Sequence, residues 1–404
     1  MDSIEPFEYD NAAGRIAFGR GAVGDLGATL AALDADRALV VCGSNVGANR
    51  RLMDAVEDGL GDHLASVFDE TTPAKAARTA VDGVEAMEAA DADALVAVGG
   101  GSSIDLARAM RAVRADGRSY DDLRAHVADA GALPVPDADL APLVAVPTTF
   151  AGADLSTGGS VTFYADDGGE GNDGRGDRDL RAGFGDPTLV PEAAVYDPEL
   201  FETTPDEALV GSAMNGFDKG IELPYSRHAN PLTDAPAFRG LSLLAESLPR
   251  LPDADDPAVM EAAVAGIVLV QHGRATRGPG LLSVIHAFGH GLREQGVQQG
   301  VAHAVMAPPV LEYLFGAVDG RRDALADALG ADDPDDPAAA VVEVVREVRD
   351  GMGLPSRLRE LDGVERDSLP DIAVVVTDDR FLDNGPTGLD PTVEGIEDVL
   401  ETAW

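Results

Sequence analysis

Ala94-Leu-Val-Ala-Val-Gly-Gly-Gly-Ser-Ser-Ile-Asp-Leu-Ala-Arg108 decides the fold. Its first five residues have the length and composition of a buried strand, and Ile104, Ala107 and Met110 then recur at helical spacing. Three glycines, Gly99, Gly100 and Gly101, join the two halves. Without Cβ atoms they let backbone N–H groups approach a ligand, and the helix start adds partial positive charge. A phosphate or pyrophosphate fits such a turn. The stretch is not a full dinucleotide fingerprint, because Ile104 stands where a third glycine would fall, and no Gly-Lys-Ser/Thr follows to make a P-loop. A purely structural strand-to-helix turn is the alternative.

Outward from this turn the chain repeats the same alternation. Towards the N-terminus, Phe18-Gly-Arg-Gly21 marks a turn, helical spacing runs over 23–33, and Arg37-Ala-Leu-Val-Val-Cys42 reads as a buried strand ending in Gly43-Ser44-Asn45. A helix to about Gly61, a strand at 66–68 and a helix over 75–90 lead back to the opening stretch. Towards the C-terminus, Leu143-Val-Ala-Val-Pro147 is another buried strand, followed by Thr148 and Thr149. Residues 165–181, rich in Asp and Gly, read as a mobile hairpin or surface loop. This pattern predicts a Rossmann-like, mostly parallel, doubly wound α/β sheet with ligands at the strand C-termini. Gly43 and Ser44 are candidate cofactor contacts that offer no carboxylate for ribose hydroxyls, and Arg50 and Arg51 follow closely. That combination favours NADP over NAD, with solvated arginines as the alternative.

From Thr203 the character changes to helix after helix. Thr204-Pro-Asp-Glu207 reads as a capping box, and helical periodicity covers 206–223, 233–248, 257–274, 281–293 and 301–315. The domains are therefore expected at 1–200, α/β and nucleotide-binding, and 201–404, all-α and catalytic. On the first of these helices Asn215, Lys219 and Glu222 share a face, and later His286 and His290 lie four apart with Gln299 and His303 beyond. Two histidines at that spacing can chelate a transition metal, and hydrogen-bonded core histidines are an equal reading.

Composition narrows the partners. The 404 residues carry 72 Asp plus Glu against 30 Lys plus Arg, a formal charge of −42, and only Lys75 and Lys219 are lysines. So even an acidic excess reads as adaptation to high salt, where charge is screened and hydrates the surface. Disorder is excluded by the 45% hydrophobic content and the near-continuous apolar periodicity. No basic cluster offsets the field, so nucleic acid and membranes are not expected partners. The lone Cys42 excludes an internal disulfide, and there is neither a leader-like start nor an apolar run of about 18 residues. The expectation is a cytoplasmic homodimer acting on a small molecule.

Gly99-Gly-Gly-Ser-Ser-Ile-Asp105, Pro147-Thr-Thr149, Asp197-Pro-Glu-Leu200, Ala213-Met-Asn-Gly-Phe-Asp-Lys-Gly-Ile-Glu222, Asn230-Pro-Leu-Thr-Asp234, His286-Ala-Phe-Gly-His290 and Ala403-Trp404 occur in the order and rough spacing of the iron-containing alcohol dehydrogenase superfamily, which the chain resembles over nearly its whole length. The resemblance implies a nucleotide-binding domain, a helical domain and an active-site cleft between them. It places Gly99, Gly100, Gly101 and Ser102 around a pyrophosphate, Asp105 nearby, and Thr148 and Thr149 at the nicotinamide end. Metal-dependent members carry an Asp and a His on the first helix and two later His ligands. In register, those positions here are Asn215, Lys219, His286 and Gln299, and a protonated lysine repels a divalent ion. The Fe²⁺ or Zn²⁺ site is therefore expected to be lost, with a displaced set of Asp218, Glu222, His286 and His290 as the alternative.

Phe18-Gly-Arg-Gly21, Phe150-Ala-Gly152, Asn215 and the stretch His303-Ala-Val-Met-Ala-Pro308 are similar to the maleylacetate reductase branch, which is regarded as metal-free. That branch usually keeps a His where Lys219 stands, and Gln299 departs from it too. Together these features imply an NAD(P)-dependent reductase of an aldehyde, ketone or conjugated oxo-acid. Lys219 is the expected electrophile or general acid, with His286 and His290 orienting the substrate or relaying a proton. A Lys219 that merely pairs with Glu222 or Asp218, a dehydroquinate-synthase-like lyase and a non-catalytic nucleotide-binding protein remain the other readings.

Overall fold

The computed structural model describes residues 6–165, 178–253, 256–331 and 335–404. The chain divides into two compact units, one spanning Ala12–Thr203 and the other gathering Thr204–Trp404 with the N-terminal residues up to Asn11.

The first unit is built on six parallel strands: β1 (Arg15–Phe18), β2 (Ala38–Gly43), β3 (Leu64–Thr71), β4 (Ala94–Gly99), β5 (Leu143–Pro147) and β8 (Ala193–Tyr196), in the order β1-β8-β5-β4-β2-β3. The four central strands, β8, β5, β4 and β2, are almost wholly buried, as expected of continuous Val, Ala and Leu runs with helices on both faces. At the edges, β1 and β3 alternate or expose most residues. That is why β1 carries no apolar signal, and why β3 reads as three residues in the sequence and extends over eight. The four-residue β8 is apolar but sits between Pro191 and Asp197, which conceals it among turn residues. β6 (Gly158–Phe163) and β7 (Leu180–Gly185) form a separate antiparallel pair. They flank the Asp/Gly-rich stretch read as a hairpin or loop, of which 166–177 lies outside the described residues.

In the second unit the main helices are Asp206–Tyr225, Pro231–Ser247, Pro257–Arg274, Val284–Arg293 and Gln299–Ala317. The first begins at Asp206 with Pro205, not the expected Thr204, at its N-cap, and Pro205 makes no side-chain cap bond. The capping box is instead at Asn230, whose side chain accepts from the Leu232 and Thr233 amides while Thr233 Oγ1 accepts from Asn230 N–H. One close approach positions the site. A Cβ on Gly300 would fall 2.0 Å from the Gly211 carbonyl oxygen, so only glycine lets helix Gln299–Ala317 lie this tightly on helix Asp206–Tyr225. This brings His303 against Asp218.

Candidate active site

The sheet order locates a candidate cofactor site in the first unit. From β2 the chain steps outward to β3, then returns to β4 on the other side of β2 and continues to β5. The switch point, where open α/β sheets bind ligands, therefore lies at the C-terminal ends of β2 and β4. Gly43-Ser44 and Gly99-Gly100-Gly101 occupy those ends, and Thr148-Thr149 follows the neighbouring β5. Gly99 has φ +125°, a conformation that L side chains rarely adopt. A Cβ on Gly100 would meet the Thr149 side chain at 3.3 Å, and one on Gly101 would meet Ala153 Cβ at 3.2 Å. Helix Gly101–Asp116 thus starts in a cradle that added carbon would fill, with its first N–H groups unshielded by side chains. Thr148 N–H donates to Gly99 O at 3.1 Å, tying the β5 end to the turn.

Asp105 sits one turn into that helix, and its carboxylate is engaged within the protein. Lys75 Nζ donates to Oδ2 at 2.6 Å, and Arg108 Nη1 donates to Oδ1 at 3.1 Å. Arg108 is fully buried and also donates to the carbonyls of Ala153, Asp154 (3.1 Å) and Leu189 (3.2 Å). The arginines thought to favour a 2′-phosphate have partners too: Arg50 pairs with Asp54 and Glu57, and Arg51 with Glu202.

The helical unit holds a buried polar cluster of its own. Asn215, Asp218, Lys219 and Glu222 lie on one face of helix Asp206–Tyr225; Asp218 and Glu222 are fully buried and Lys219 is 5% exposed. Glu222 accepts backbone N–H bonds from Ser283 (2.9 Å), Ile285 (2.7 Å) and His286 (3.1 Å) and the Nδ1–H bond of His286 (2.6 Å). A carboxylate from one helix therefore caps the N-terminus of another, satisfying orphan donors and matching its dipole. Burial drives His286 well below its usual pKa, and the charges of Lys219, His290 and Arg274 push the same way. The ring is thus neutral with its proton on Nδ1. Nε2 stands 3.2 Å from Asn215 Oδ1, and with the ring proton on Nδ1 a hydrogen bond between them requires the Asn215 amide to be flipped so that its NH2 group donates.

His303 stands edge-on to His286, with ring centroids 4.4 Å apart, and its Nδ1 is 3.3 Å from Asp218 Oδ2. Burial lowers the His303 pKa and raises that of Asp218, the latter reinforced by Glu222. His290 faces outward instead, bonding Asp379 at 2.7 Å and packing on Phe381. Gln299 packs by Gly289, where its Cγ would lie 3.5 Å from an added Cβ.

These donors do not suit a divalent cation. The register offers a neutral imidazole, two amides and an amine; of the displaced set, Glu222 is spent on a helix N-terminus, while Asp218 lies 3.3 Å from His303 without a hydrogen bond to it. Among the described residues no three His, Cys, Asp or Glu side chains are grouped to hold a metal ion. Of the residues named from the sequence, Asn215, Lys219 and His286 lie in the buried cluster, and His290 faces away from it. Sequence reasoning missed Lys75, Arg108 and Asp379 as partners, and the capping role of Glu222, which acts on residues 61 or more positions away.

Residues 13–198 match the family model described as iron-containing alcohol dehydrogenase, and residues 209–404 match the C-terminal model of the same family. The NAD-dependent methanol dehydrogenase of Bacillus methanolicus is 26% identical, covering 95% of this chain and 97% of that one. Maleylacetate reductase 2 of Cupriavidus pinatubonensis is 28% identical over 82% of this chain and 80% of its own. The crystal structure of maleylacetate reductase from Agrobacterium tumefaciens superposes with a TM-score of 0.78 at 25% identity, covering 99% of each chain. With both halves matched and the fold shared from end to end, the chain belongs to the iron-containing alcohol dehydrogenase family.

Proposed function

We propose that this oxidoreductase transfers hydride between NAD(H) or NADP(H) and a small aldehyde, ketone or conjugated oxo-acid without a catalytic metal. The observation that carries the reading is the buried Lys219 side chain, near enough to the neutral, Glu222-anchored His286 to depress its pKa, at a position that the resemblance assigns to a metal ligand.

The cradle at Gly99, Gly100, Gly101 and Ser102, with Gly43, Ser44, Thr148 and Thr149 around it, suits the pyrophosphate and ribose of a dinucleotide. When bound, the nicotinamide supplies the hydride. The chain's own residues then handle charge and proton. Lys219 presents an N–H donor and positive charge in a site of low dielectric, where one such donor counts for more than in water. As the substrate oxygen gains electron density, Lys219 shares or surrenders a proton to it. His286, held by Glu222 on one nitrogen and Asn215 on the other, fixes the wall beside Lys219, and His290 with Asp379 lies on the outer turn of the same helix. Asp105 acts indirectly, by holding charged side chains at the turn.

The test is oxidation of NADH and NADPH with a panel of aldehydes, ketones and oxo-acids, on protein assayed for bound metal. Net cofactor turnover by metal-free protein is the expected result. Stoichiometric iron or zinc whose removal abolishes turnover would overturn the metal-free reading, and tight dinucleotide binding with no turnover on any substrate would favour a binding protein.

A further inference from the structure

The chain uses lysine twice, and Lys75 occupies a conformation that lysine does not choose freely. Its φ is +49°, one of four non-glycine residues with positive φ among those described. The backbone is pinned there, since Lys75 O accepts from Thr162 N–H at 2.9 Å and Ala76 bridges to Thr162 in β6. The segment after β3 is thereby strapped beside helix Gly101–Asp116, where Lys75 Nζ meets Asp105. Local strain held by surrounding structure is a pointer to function.

The geometry of the pair gives it a direction. Asp105 is four residues after Gly101, so the two share a helix face about 6 Å apart along the axis, and side chains on a helix lean towards its N-terminus. The Lys75 ammonium consequently sits within a turn of the glycine cradle. Its side chain is 13% exposed. One of its three N–H donors is directed to Asp105, which is itself fixed by the fully buried Arg108. Arg108 also ties down the backbone at Ala153 and Asp154 just beyond Thr149, so the Arg108–Asp105–Lys75 chain couples the aim of the ammonium to the shape of the cradle. A compact ammonium with donors to spare suits this place better than the planar fork of the arginines used elsewhere.

We propose that Lys75, aimed by Asp105 and Arg108, is a binding residue for the cofactor's pyrophosphate. The inference rests on the nicotinamide reading of the glycine turn, and the experiment separates the two. Dissociation constants for NADH and NADPH are measured by fluorescence titration of the whole protein and of Lys75→Met, Lys75→Arg and the double variant Lys75→Met/Asp105→Asn. Loss of one charge-assisted contact weakens both nucleotides ~10-fold in Lys75→Met, whereas Lys75→Arg stays within about threefold. The double variant removes the carboxylate that Lys75→Met would leave unpaired. It remains weak if Lys75 touches the cofactor, and its return to wild-type affinity would overturn the proposal in favour of a purely structural pair. Because the chain has two lysines, amine acylation followed by mass spectrometry reads the same contact in the unaltered protein. NADH should slow labelling of Lys75, and unchanged labelling at saturating NADH would sink the proposal. If the wild-type protein binds neither nucleotide, the reading of the turn fails instead.

Discussion

The glycine turn and the polar cluster are opposite solutions to placing charge where a reaction needs it. At Gly99-Gly100-Gly101 the work is done by backbone, and the site exists because side chains are missing: the cradle walls, Thr149 and Ala153, stand where Cβ atoms would otherwise be. Around Lys219 it is done by side chains from three helices, each neutralising or orienting the next, with Glu222 capping the helix that carries His286. A backbone site tolerates change in everything except bulk and φ. A side-chain site tolerates change in bulk more readily than change in charge. Substitutions should therefore fail in different ways in the two regions.

The largest effect is expected at Lys219. Replacing it by Ala removes the donor and leaves the family's metal position without any charge, and kcat/KM should fall by about 10²–10⁴, the usual worth of a positioned acid. Steady-state kinetics with NADH and NADPH reads this, with dinucleotide affinity measured alongside. If turnover survives with unchanged KM, the polar cluster is structural, and the contrast between a binding turn and a reactive cluster collapses.

Gly99→Ala probes the backbone half. At φ +125° an Ala is strained, and its Cβ would sit 3.3 Å from Ser103 Oγ and 3.5 Å from Val46 Cγ2. The expected cost is about 1–3 kcal/mol of stability, seen in thermal or denaturant unfolding, together with weaker dinucleotide binding. A variant of full stability that binds as tightly as the parent would mean that the turn relaxes and that its geometry is not what admits the ligand.

The contrast also explains what could be read in advance. Buried strands β2, β4 and β5 and the five long helices were legible because each carries its own periodicity or apolar run. The glycine turn was legible because its residues are contiguous, between one apolar run and one helical period. Edge strand β1 was hidden, since two exposed ends in four residues give no pattern. In the cluster, Asn215, Lys219, Glu222 and His286 could be named from helix spacing and resemblance. The bonds from Glu222 to the 283–286 backbone, and the contact of His303 with Asp218 made available by Gly300, are tertiary facts with no local trace.

The cluster's charge balance yields a subtler prediction. Burial raises the pKa of Asp218 and Glu222 above 3.8 and 4.5 and lowers those of His286 and His303 below 6.5. Asp218, whose pKa burial raises well above its usual range, keeps in the folded protein between about pH 4.5 and 6.5 a proton that the unfolded chain has lost, a contribution that makes stability fall as pH rises. Over the same window the unfolded chain holds imidazole protons that the folded protein lacks, which makes stability rise with pH. The carboxyl and imidazole contributions therefore oppose each other. Asp218→Asn removes one carboxyl proton and should tilt the unfolding free energy upward with pH by at most about 1.4 kcal/mol per unit. Denaturant titrations at pH 4.5, 5.5 and 6.5 measure the tilt relative to wild type. Absence of a tilt would mean that Asp218 is already ionised beside a neutral His303 in the folded protein.

The smallest effect belongs to Arg50 and Arg51, and it bears on the cofactor half alone. Placed shortly after Ser44, they look like a reason to prefer NADPH. Each is already committed to carboxylates, Arg50 to Asp54 and Glu57 and Arg51 to Glu202, with both arginine side chains more than half exposed. An exposed pair contributes between zero and about 1 kcal/mol, and a guanidinium held by two acids presents little net charge to a ligand. Replacing both by Ala should change the ratio of NADPH to NADH affinity by less than about threefold, within the energy of such a pair. A tenfold loss confined to NADPH would show that these ion pairs open for a 2′-phosphate. In that event a turn built from backbone would still take its choice of dinucleotide from mobile side chains, and the division between the two regions would hold for pyrophosphate binding while failing for specificity.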